Sequence, residues 1–150
     1  MVLTKLLLTD PSDSVNIVAM HAVNYKTTMK RRVLDLLLSR NMADTHANSL
    51  PKLGVIVISG QQTLAAGFLR RIEGEDKSAI LDSLITNPTL DPDLRNRALD
   101  HLVNNLLKLA QANGITNILA FSTDKNTLMR AERFGFVELP HQVITLDLTS

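Results

Sequence analysis

The sequence predicts one α/β domain in which helices pack on a mixed β-sheet (an α+β arrangement of antiparallel and parallel strands). Its 150 residues are the usual length of a single domain. Short, dense apolar runs alternate along the chain with segments of helical periodicity. Consecutive apolar runs in the middle are joined by short turns, whereas a long helical segment separates the last of them from the next run. Hairpins and a β-α-β crossover in one chain indicate a mixed sheet.

The composition excludes several classes of protein. A 45% hydrophobic and 21% charged chain is an ordinary globular protein. The 16 basic residues are balanced by 15 acidic ones and only 3% of residues are aromatic, so we expect no nucleic-acid partner. Without cysteine, and with four histidines that lack ligand spacing, we expect no metal. Because no run approaches the ~18 consecutive apolar residues of a membrane span and no signal peptide is evident, we expect a cytoplasmic protein that does not bind membranes.

The first fifty residues suggest a strand and two helices. Residues 2–9 form a short apolar run that ends at Asp10-Pro11 and predicts a strand. Apolar residues recur at helical spacing from Ser14 to Val23, which predicts a helix, and a second helix is predicted from about Thr28 to Arg40. The polar segment 41–51 is predicted to be a loop. The side chains expected inward on the second helix are Met29, Val33, Leu36 and Leu37.

The middle of the chain predicts three strands and the longest helix. The strands cover residues 54–58, 63–72 and 78–86, with hairpin turns between them. Asp91 as the N-cap and Pro92 in the first helical position mark the start of a helix that runs to about residue 113, before Gly114.

The last part of the chain completes the order β-α-α-β-β-β-α-β-α-β-β. A strand is predicted at 115–121, and Thr123 or Asp124 caps a short helix that ends at Gly135. Two further strands are predicted at 136–139 and 143–148.

Two local stretches carry a resemblance. The first, Arg95 to Asp100 (RNRALD), opens the long helix, and the second, Asn126 to Phe136, runs through a helix into a Gly-Phe pair. Together with the order of elements over the whole chain, they resemble the GNAT family of N-acetyltransferases, with its Q/R-x-x-G-x-G/A loop and its Gly-Phe pair before the sixth strand. The resemblance implies the acyl-CoA N-acyltransferase fold and the transfer of an acetyl group from acetyl-CoA to an amine.

The resemblance also implies where acetyl-CoA binds. Its pyrophosphate would lie at the N-terminus of the long helix, where N–H groups and the helix dipole favour an anion. Its pantetheine arm would lie along the edges of the two strands that flank the crossover. The residues expected at acetyl-CoA are Leu84, Ile85, Thr86, Arg95, Asn96, Arg97, Ala98, Ser122, Asp124 and Arg130.

Each of these polar residues also has a simpler interpretation. Arg95 and Arg97 could be solvated arginines that balance nearby aspartates, and Arg130 could lie on an exposed helix face. Ser122 and Asp124 could serve as helix caps. The loop itself departs from the family pattern, because Ala98 stands at its first glycine and Asp100 at its second small residue.

Two residues are candidates for proton transfer. Asp82 interrupts an apolar strand, and a buried carboxylate with a raised pKa could accept the proton of an amine. The alternative is a hydrogen-bonded strand or bulge residue. Many family members have a tyrosine acid four residues before the Gly-Phe pair, but here that position is Ala131. Tyr25, the only tyrosine, is the candidate acid in its place.

Three hypotheses about function remain open from the sequence. The leading one is an acetyl-CoA-dependent N-acetyltransferase that acts on an unknown amine. The second is a catalytically degenerate GNAT-fold binding or assembly module, suggested by Asp91, Asp100 and Ala131. The third is an α/β interaction domain unrelated to this family. A homodimer is expected, since it is the commonest assembly of soluble oligomers.

Overall fold

A computed structural model of the protein describes residues 19–42, 50–122 and 125–138. The chain divides into two compact units, residues 1–120 and 121–150. The first unit contains the sheet and two of the helices, and the second contains the short helix after the crossover. The organisation of residues 1–150 as one domain stays a prediction.

In its described residues, the first unit is built on a mixed sheet of five strands. They are β1 (Met20–Asn24), β2 (Leu53–Ser59), β3 (Gln62–Ile72), β4 (Glu75–Thr86) and β5 (Asn117–Leu119). The strands lie side by side in chain order, with the first three pairs antiparallel and β4–β5 parallel. The predicted combination of hairpins and a crossover is confirmed.

The helices begin and end close to where local signals place them. A 3-10 turn (Thr27–Met29) leads into α1 (Lys30–Ser39), and α2 spans Pro92–Ala112. The Asp91 side chain accepts a hydrogen bond from the N–H of Leu94 at 2.9 Å, which confirms the predicted cap. In the second unit α3 spans Lys125–Arg133 and is followed by Gly135 at φ 89°, a conformation that favours glycine.

The sheet is covered on both faces. Val55 and Val57 of β2 pack with α2, and Ile56 between them packs with α1. Since successive strand residues point to opposite faces, a strand buried on both sides needs a continuous apolar run, as in β2. The inward residues of α1 are those predicted, with Val33, Leu36 and Leu37 fully buried and Met29 partly so.

One predicted helix is wrong where the structure describes it. Met20–Asn24 is a strand that pairs antiparallel with β2, and not the end of a helix over 14–23. Ala22 packs on the α2 side and Val23 on the α1 side, which is the alternation of a strand. The small apolar residues there fit either period, and pairing with the edge of β2 decides between them.

The terminal strands cannot all be compared with the structure. The predicted strands 2–9 and 143–148 lie outside the described residues, and residues 136–138 of the predicted strand 136–139 are not in a strand.

Arg71 connects the β3–β4 hairpin to the end of α2. Its Nη1 donates to the carbonyl of Asp76 at 2.8 Å and its Nη2 donates to the carbonyl of Asn113 at 2.9 Å. Just beyond, the N–H of Thr116 donates to the carbonyl of Lys77 at 2.8 Å and starts the alignment of β5 with β4. The crossover is therefore held at the point where its second strand enters the sheet.

Candidate functional site

The parallel strands β4 and β5 pair over only three residues. Their register runs from Ser78–Asn117 to Ile80–Leu119, and β4 then continues to Thr86. Beyond Ile80, the pairing of β4 among the described residues is with β3 alone. The backbone of β4 from Leu81 to Thr86 is therefore an open strand edge within the first unit.

A bulge marks the start of this open edge. The β3–β4 register shifts between Ala66–Ile85 and Phe68–Asp82, so that Ser83 and Leu84 lie opposite the single residue Gly67. Ser83 has φ 61°, which non-glycine residues rarely adopt and which costs about 1–3 kcal/mol. Bulges of this kind redirect a strand and are common beside active sites.

Gly67 allows the bulge to pack closely. A Cβ atom at this position would lie 2.8 Å from Leu84 Cδ2 and 2.9 Å from Leu106 Cδ1. The side chains of the bulge and of α2 thus fill the space that a larger residue would need.

The open edge presents the backbone groups of alternate residues. The N–H of Asn87 donates to the carbonyl of Leu64 at 2.8 Å, so these two residues form a hydrogen-bonded antiparallel pair. By the alternation of such pairs, the backbone groups of Thr86 face away from β3 and those of Ile85 face toward it, up to the bulge that contains Leu84. Of the three predicted pantetheine contacts, Thr86 therefore lies on the edge with its backbone groups outward.

Arg40 binds the end of this edge. Its Nε donates to the carbonyl of Thr86 at 3.0 Å and its Nη2 donates to the Thr86 hydroxyl at 2.9 Å. The two residues are 46 positions apart, and nothing in the local sequence around the end of α1 indicates the contact. Arg40 is thus a residue of the candidate site that sequence reasoning missed.

Asp82 and Tyr25 lie on the same face of the sheet but not together. The N–H of Tyr25 donates to the carbonyl of Gly54, which pairs with Phe68, which pairs in turn with Asp82. The four residues form one row that runs from the residue just after β1 across β2, β3 and β4. Since strands are about 4.8 Å apart, the α-carbons of Tyr25 and Asp82 are separated by about 14 Å. The two candidates therefore cannot share a proton directly.

Asp82 does not have the buried environment expected of it. Its side chain is 28% exposed, and its Oδ2 accepts from Arg70 Nε at 2.9 Å in an ion pair. Its Oδ1 accepts from the Ser83 hydroxyl at 3.0 Å. The expectation of a buried carboxylate is wrong, because Asp82 is a hydrogen-bonded residue beside a bulge, which was the alternative interpretation.

Tyr25 packs edge-to-face on Phe68. The ring centroids are 5.1 Å apart with an interplanar angle of 74°, a favourable geometry for two aromatic rings. Burial raises the pKa of Tyr25 above its usual value near 10. The phenol is therefore protonated at neutral pH and can donate a proton or a hydrogen bond.

The N-terminus of α2 is a capped helix and not a glycine-rich loop. Pro92 has no N–H, and the N–H groups of Leu94 and Arg95 both donate to Asp91, to its carboxylate and to its carbonyl. The side chain of Asp91 thus occupies the position at which an anion would accept from this helix. Asp93 adds a second negative charge in the first turn.

Ala98 is not part of a phosphate-binding loop. It lies in the second turn of α2 with 0% exposure and packs against the sheet, and its contact with acetyl-CoA stays a prediction. Arg95 is half-buried, whereas Asn96 and Arg97 are exposed on the same turns. Their contacts with acetyl-CoA stay predictions.

The remaining predicted residues lie in or beside the second unit. Ser122 and Arg130 belong to that unit, and Asp124 is outside the described residues. Their contacts with acetyl-CoA stay predictions. Among the described residues, no three acidic or histidine side chains are placed to hold a metal ion. No helix in the described parts of the chain is long and apolar enough to cross a membrane.

The comparisons with known proteins agree with this architecture. No protein-family model and no curated protein matches the sequence. Solved acetyltransferases do match in structure. One from Trypanosoma brucei is 16% identical with a TM-score of 0.60, over 86% of this chain and 99% of its own. A GNAT family protein from Streptococcus pneumoniae is 14% identical with a TM-score of 0.63, over 86% and 98%.

A third match was solved with a ligand. The aminoglycoside N-acetyltransferase AAC(6')-Iy, in complex with CoA, is 12% identical with a TM-score of 0.61, over 86% of this chain and 95% of its own. At these identities the likeness concerns the fold. The mixed α/β architecture is thus shared with a group of acetyltransferases, and the protein has the GNAT acetyltransferase fold that its sequence resembles.

Proposed function

We propose that the protein transfers an acetyl group from acetyl-CoA to an amine. The observation that carries this proposal is the open edge of β4, which begins at a bulge and ends at Thr86. A linear amide-containing arm can align with such an edge as an additional strand would, through hydrogen bonds to backbone groups such as the outward N–H of Thr86, whose carbonyl already accepts from Arg40. The match to an N-acetyltransferase solved with CoA supports the same ligand.

The open edge fits the arm of acetyl-CoA better than α2 fits its pyrophosphate. Asp91 already accepts from the helix N-terminus, so the phosphates would be held by side chains and not by a backbone cradle. Arg95 and Arg97 are the cations on the first turns of α2, and guanidinium groups match phosphate oxygens well. The proposal therefore includes phosphate binding that depends strongly on salt concentration.

The bound acetyl-CoA supplies an activated thioester, and the chain supplies positioning. The bulge at Ser83 turns the strand where the thioester end of the arm would lie. Asp82, held by Arg70, lies beside this bulge and is the proposed acceptor of the proton lost by the amine, directly or through water. Tyr25 lies about 14 Å away across the row, so we place it at a part of the acceptor molecule remote from the reacting nitrogen, and the CoA thiolate that leaves as the N–C bond forms takes its proton from water.

Binding and turnover test the proposal separately. Calorimetric titration with CoA and acetyl-CoA measures binding, and a thiol reagent measures CoA released in the presence of polyamine, amino-acid or aminoglycoside amines. Because the chain has no cysteine, it adds no background to the thiol assay. Binding of acetyl-CoA together with amine-dependent release of thiol is the expected result. If acetyl-CoA at millimolar concentration neither binds nor raises the melting temperature, the proposal is refuted.

The phosphate contacts have a matched control. Replacing both Arg95 and Arg97 by glutamine should weaken CoA binding by about tenfold or more, since hydrogen bonds to charged groups contribute about 1.5–3 kcal/mol. Lys108→Gln removes a positive charge from an exposed site further along α2 and should leave the affinity within about twofold. Equal affinities in both variants would place the phosphates elsewhere.

A second candidate function is a binding module without catalysis. The specific observation in its favour is the Asp91 cap at the helix terminus. This candidate predicts no binding of CoA and no release of thiol with any amine, so the same experiment decides between the two.

A further inference from the structure

A small open cleft lies on the α1 side of the sheet. It has a volume of about 250 Å³ and is lined by residues of α1, of the β2–β3 turn and of the segment after β4. Those that matter below are Arg32, Asp35, Gln61, Thr63 and Asn87. Its volume is below the ~300–1,000 Å³ of sites for drug-sized ligands. The cleft therefore suits a small group, or one end of a larger molecule.

Arg32 brings an unsatisfied cationic donor to this cleft. Its Nη1 is buried and has no hydrogen-bond partner. A guanidinium nitrogen removed from water without an acceptor is costly, because the lost hydration is not replaced. Such an atom in a folded protein calls for an acceptor.

The neighbouring polar groups do not supply that acceptor. Asn87 is held in place, since its Nδ2 donates to the carbonyl of Thr63 at 3.1 Å and its Oδ1 accepts twice from Thr89. Asp35 pairs with Arg31, with Nε and Oδ1 3.3 Å apart. The cleft thus has an amide held by three hydrogen bonds, one carboxylate paired with Arg31, and a partly buried guanidinium whose Nη1 has no acceptor.

We propose that this cleft binds a carboxylate group through Arg32. A guanidinium matches the two oxygens of a carboxylate in geometry and charge. Asp35 lines the same cleft, and its charge disfavours a doubly charged phosphate more than a singly charged carboxylate. The site does not depend on acyl transfer, and it lies about 13 Å along β4 from the bulge, the length of the four residues from Ser83 to Asn87.

Nuclear magnetic resonance of the ¹⁵N-labelled protein tests this site. Sodium acetate is titrated against sodium chloride at equal ionic strength, and then sodium phosphate is titrated in the same way. The backbone amides of Gln61, Thr63 and Asn87 and the side-chain Nε–Hε of Arg32 are the reporters. Acetate is expected to shift them to saturation, with phosphate weaker. Shifts equal to those in chloride, or tighter binding of phosphate than of acetate, would overturn the proposal.

Variants on α1 identify the anchoring residue. Arg32→Gln should weaken acetate binding by about tenfold or more. Lys30→Gln removes a positive charge from an exposed position on the same helix and should change affinity less than about twofold. If Arg32→Gln and Lys30→Gln bind acetate equally well, the assignment to Arg32 is wrong.

An independent variant covers the case in which Arg32→Gln does not fold. Asp35→Asn, at an exposed position, removes the negative charge from the cleft and should tighten acetate binding by about twofold or more. Unchanged or weaker acetate binding in Asp35→Asn would contradict the proposed charge balance and with it the carboxylate site.

Discussion

Replacing Gly54 by alanine tests the row of residues that joins Tyr25 to Asp82. A Cβ atom at Gly54 would lie 2.5 Å from Phe68 Cδ1 and 2.6 Å from Phe68 Cε1, and 3.1 Å from the carbonyl oxygen of Gly67. Phe68 is fully buried, so its ring has little room to move. The ring crosses the space above Gly54 and contacts Tyr25 there.

The expected loss of stability follows from two opposing terms. Overpacking of a core costs about 1–3 kcal/mol. Alanine recovers about 0.5–1 kcal/mol, since glycine in a strand loses more chain entropy on folding. We therefore expect Gly54→Ala to lower the free energy of unfolding by about 1–2 kcal/mol, and the melting temperature by about 3–6 °C for a chain of this length.

Urea unfolding followed by far-ultraviolet circular dichroism measures this loss. The near-ultraviolet signal of Tyr25 should change as well, because the chain has one tyrosine and no tryptophan. Gly67→Ala is the matched control on the same strand pair. Its Cβ would meet Leu84 and Leu106 on the α2 side of the sheet and not Phe68, so the variant should lose stability while the tyrosine signal stays unchanged.

A double-mutant cycle with Phe68→Leu assigns the loss to the ring. Phe68→Leu leaves space and is destabilising by itself, but it also removes the atoms that the new methyl group meets. The double variant should therefore be more stable than the sum of the single effects by about 1 kcal/mol. A Gly54→Ala protein as stable as the wild type, with the same tyrosine signal, would refute the described packing of this row.

Three other predictions follow from single contacts. Asp91→Ala should cost about 1 kcal/mol of unfolding free energy in urea, whereas Asp91→Ser, which keeps a cap, should cost a few tenths. Arg71→Ala should cost about 1 kcal/mol and speed amide exchange at Thr116, because two carbonyls lose a charged donor, and Arg71→Lys should recover only part of it. The tyrosinate absorbance of Tyr25 should titrate above pH 10, since burial raises its pKa, and an unshifted titration would contradict that burial. Because the folded pKa is the higher one, stability is fully retained below about pH 10 and should fall as the pH rises through the raised pKa.

Features with local causes were predictable from the sequence. The start of α2 depends on Asp91 and Pro92, which are adjacent, and its end on Gly114, which has φ 73°. The strands of the central hairpins were also predictable, since β2 is buried on both faces. β1 was not, because its small apolar residues fit a helix equally well until β2 is placed beside them.

The arginine partners of the candidate site residues were not predictable, because they come from segments that are distant in the sequence. The pair of Arg70 with Asp82 requires the β3–β4 register, including a bulge that shifts it by one residue. The hydrogen bond between Arg40 and Thr86 joins the end of α1 to the end of β4, and these two residues are 46 positions apart in the chain. Asp82 therefore looked from the sequence like an isolated carboxylate in an apolar strand, and the structure gives it two partners.

The head of α2 shows how the same residues act on the fold and on the ligand site. The resemblance places glycine or a small residue at the positions of Ala98 and Asp100, where backbone approaches phosphate. Alanine favours a helix over glycine by about 1 kcal/mol per residue, and Asp91 stabilises the first turn by about 0.5–2 kcal/mol as its cap. These terms favour a continuous helix from Pro92, with Ala98 buried against the sheet. An anion that binds here must therefore displace the Asp91 carboxylate or be held by arginine side chains. A strong salt dependence of CoA binding would indicate that arginine side chains hold the phosphates.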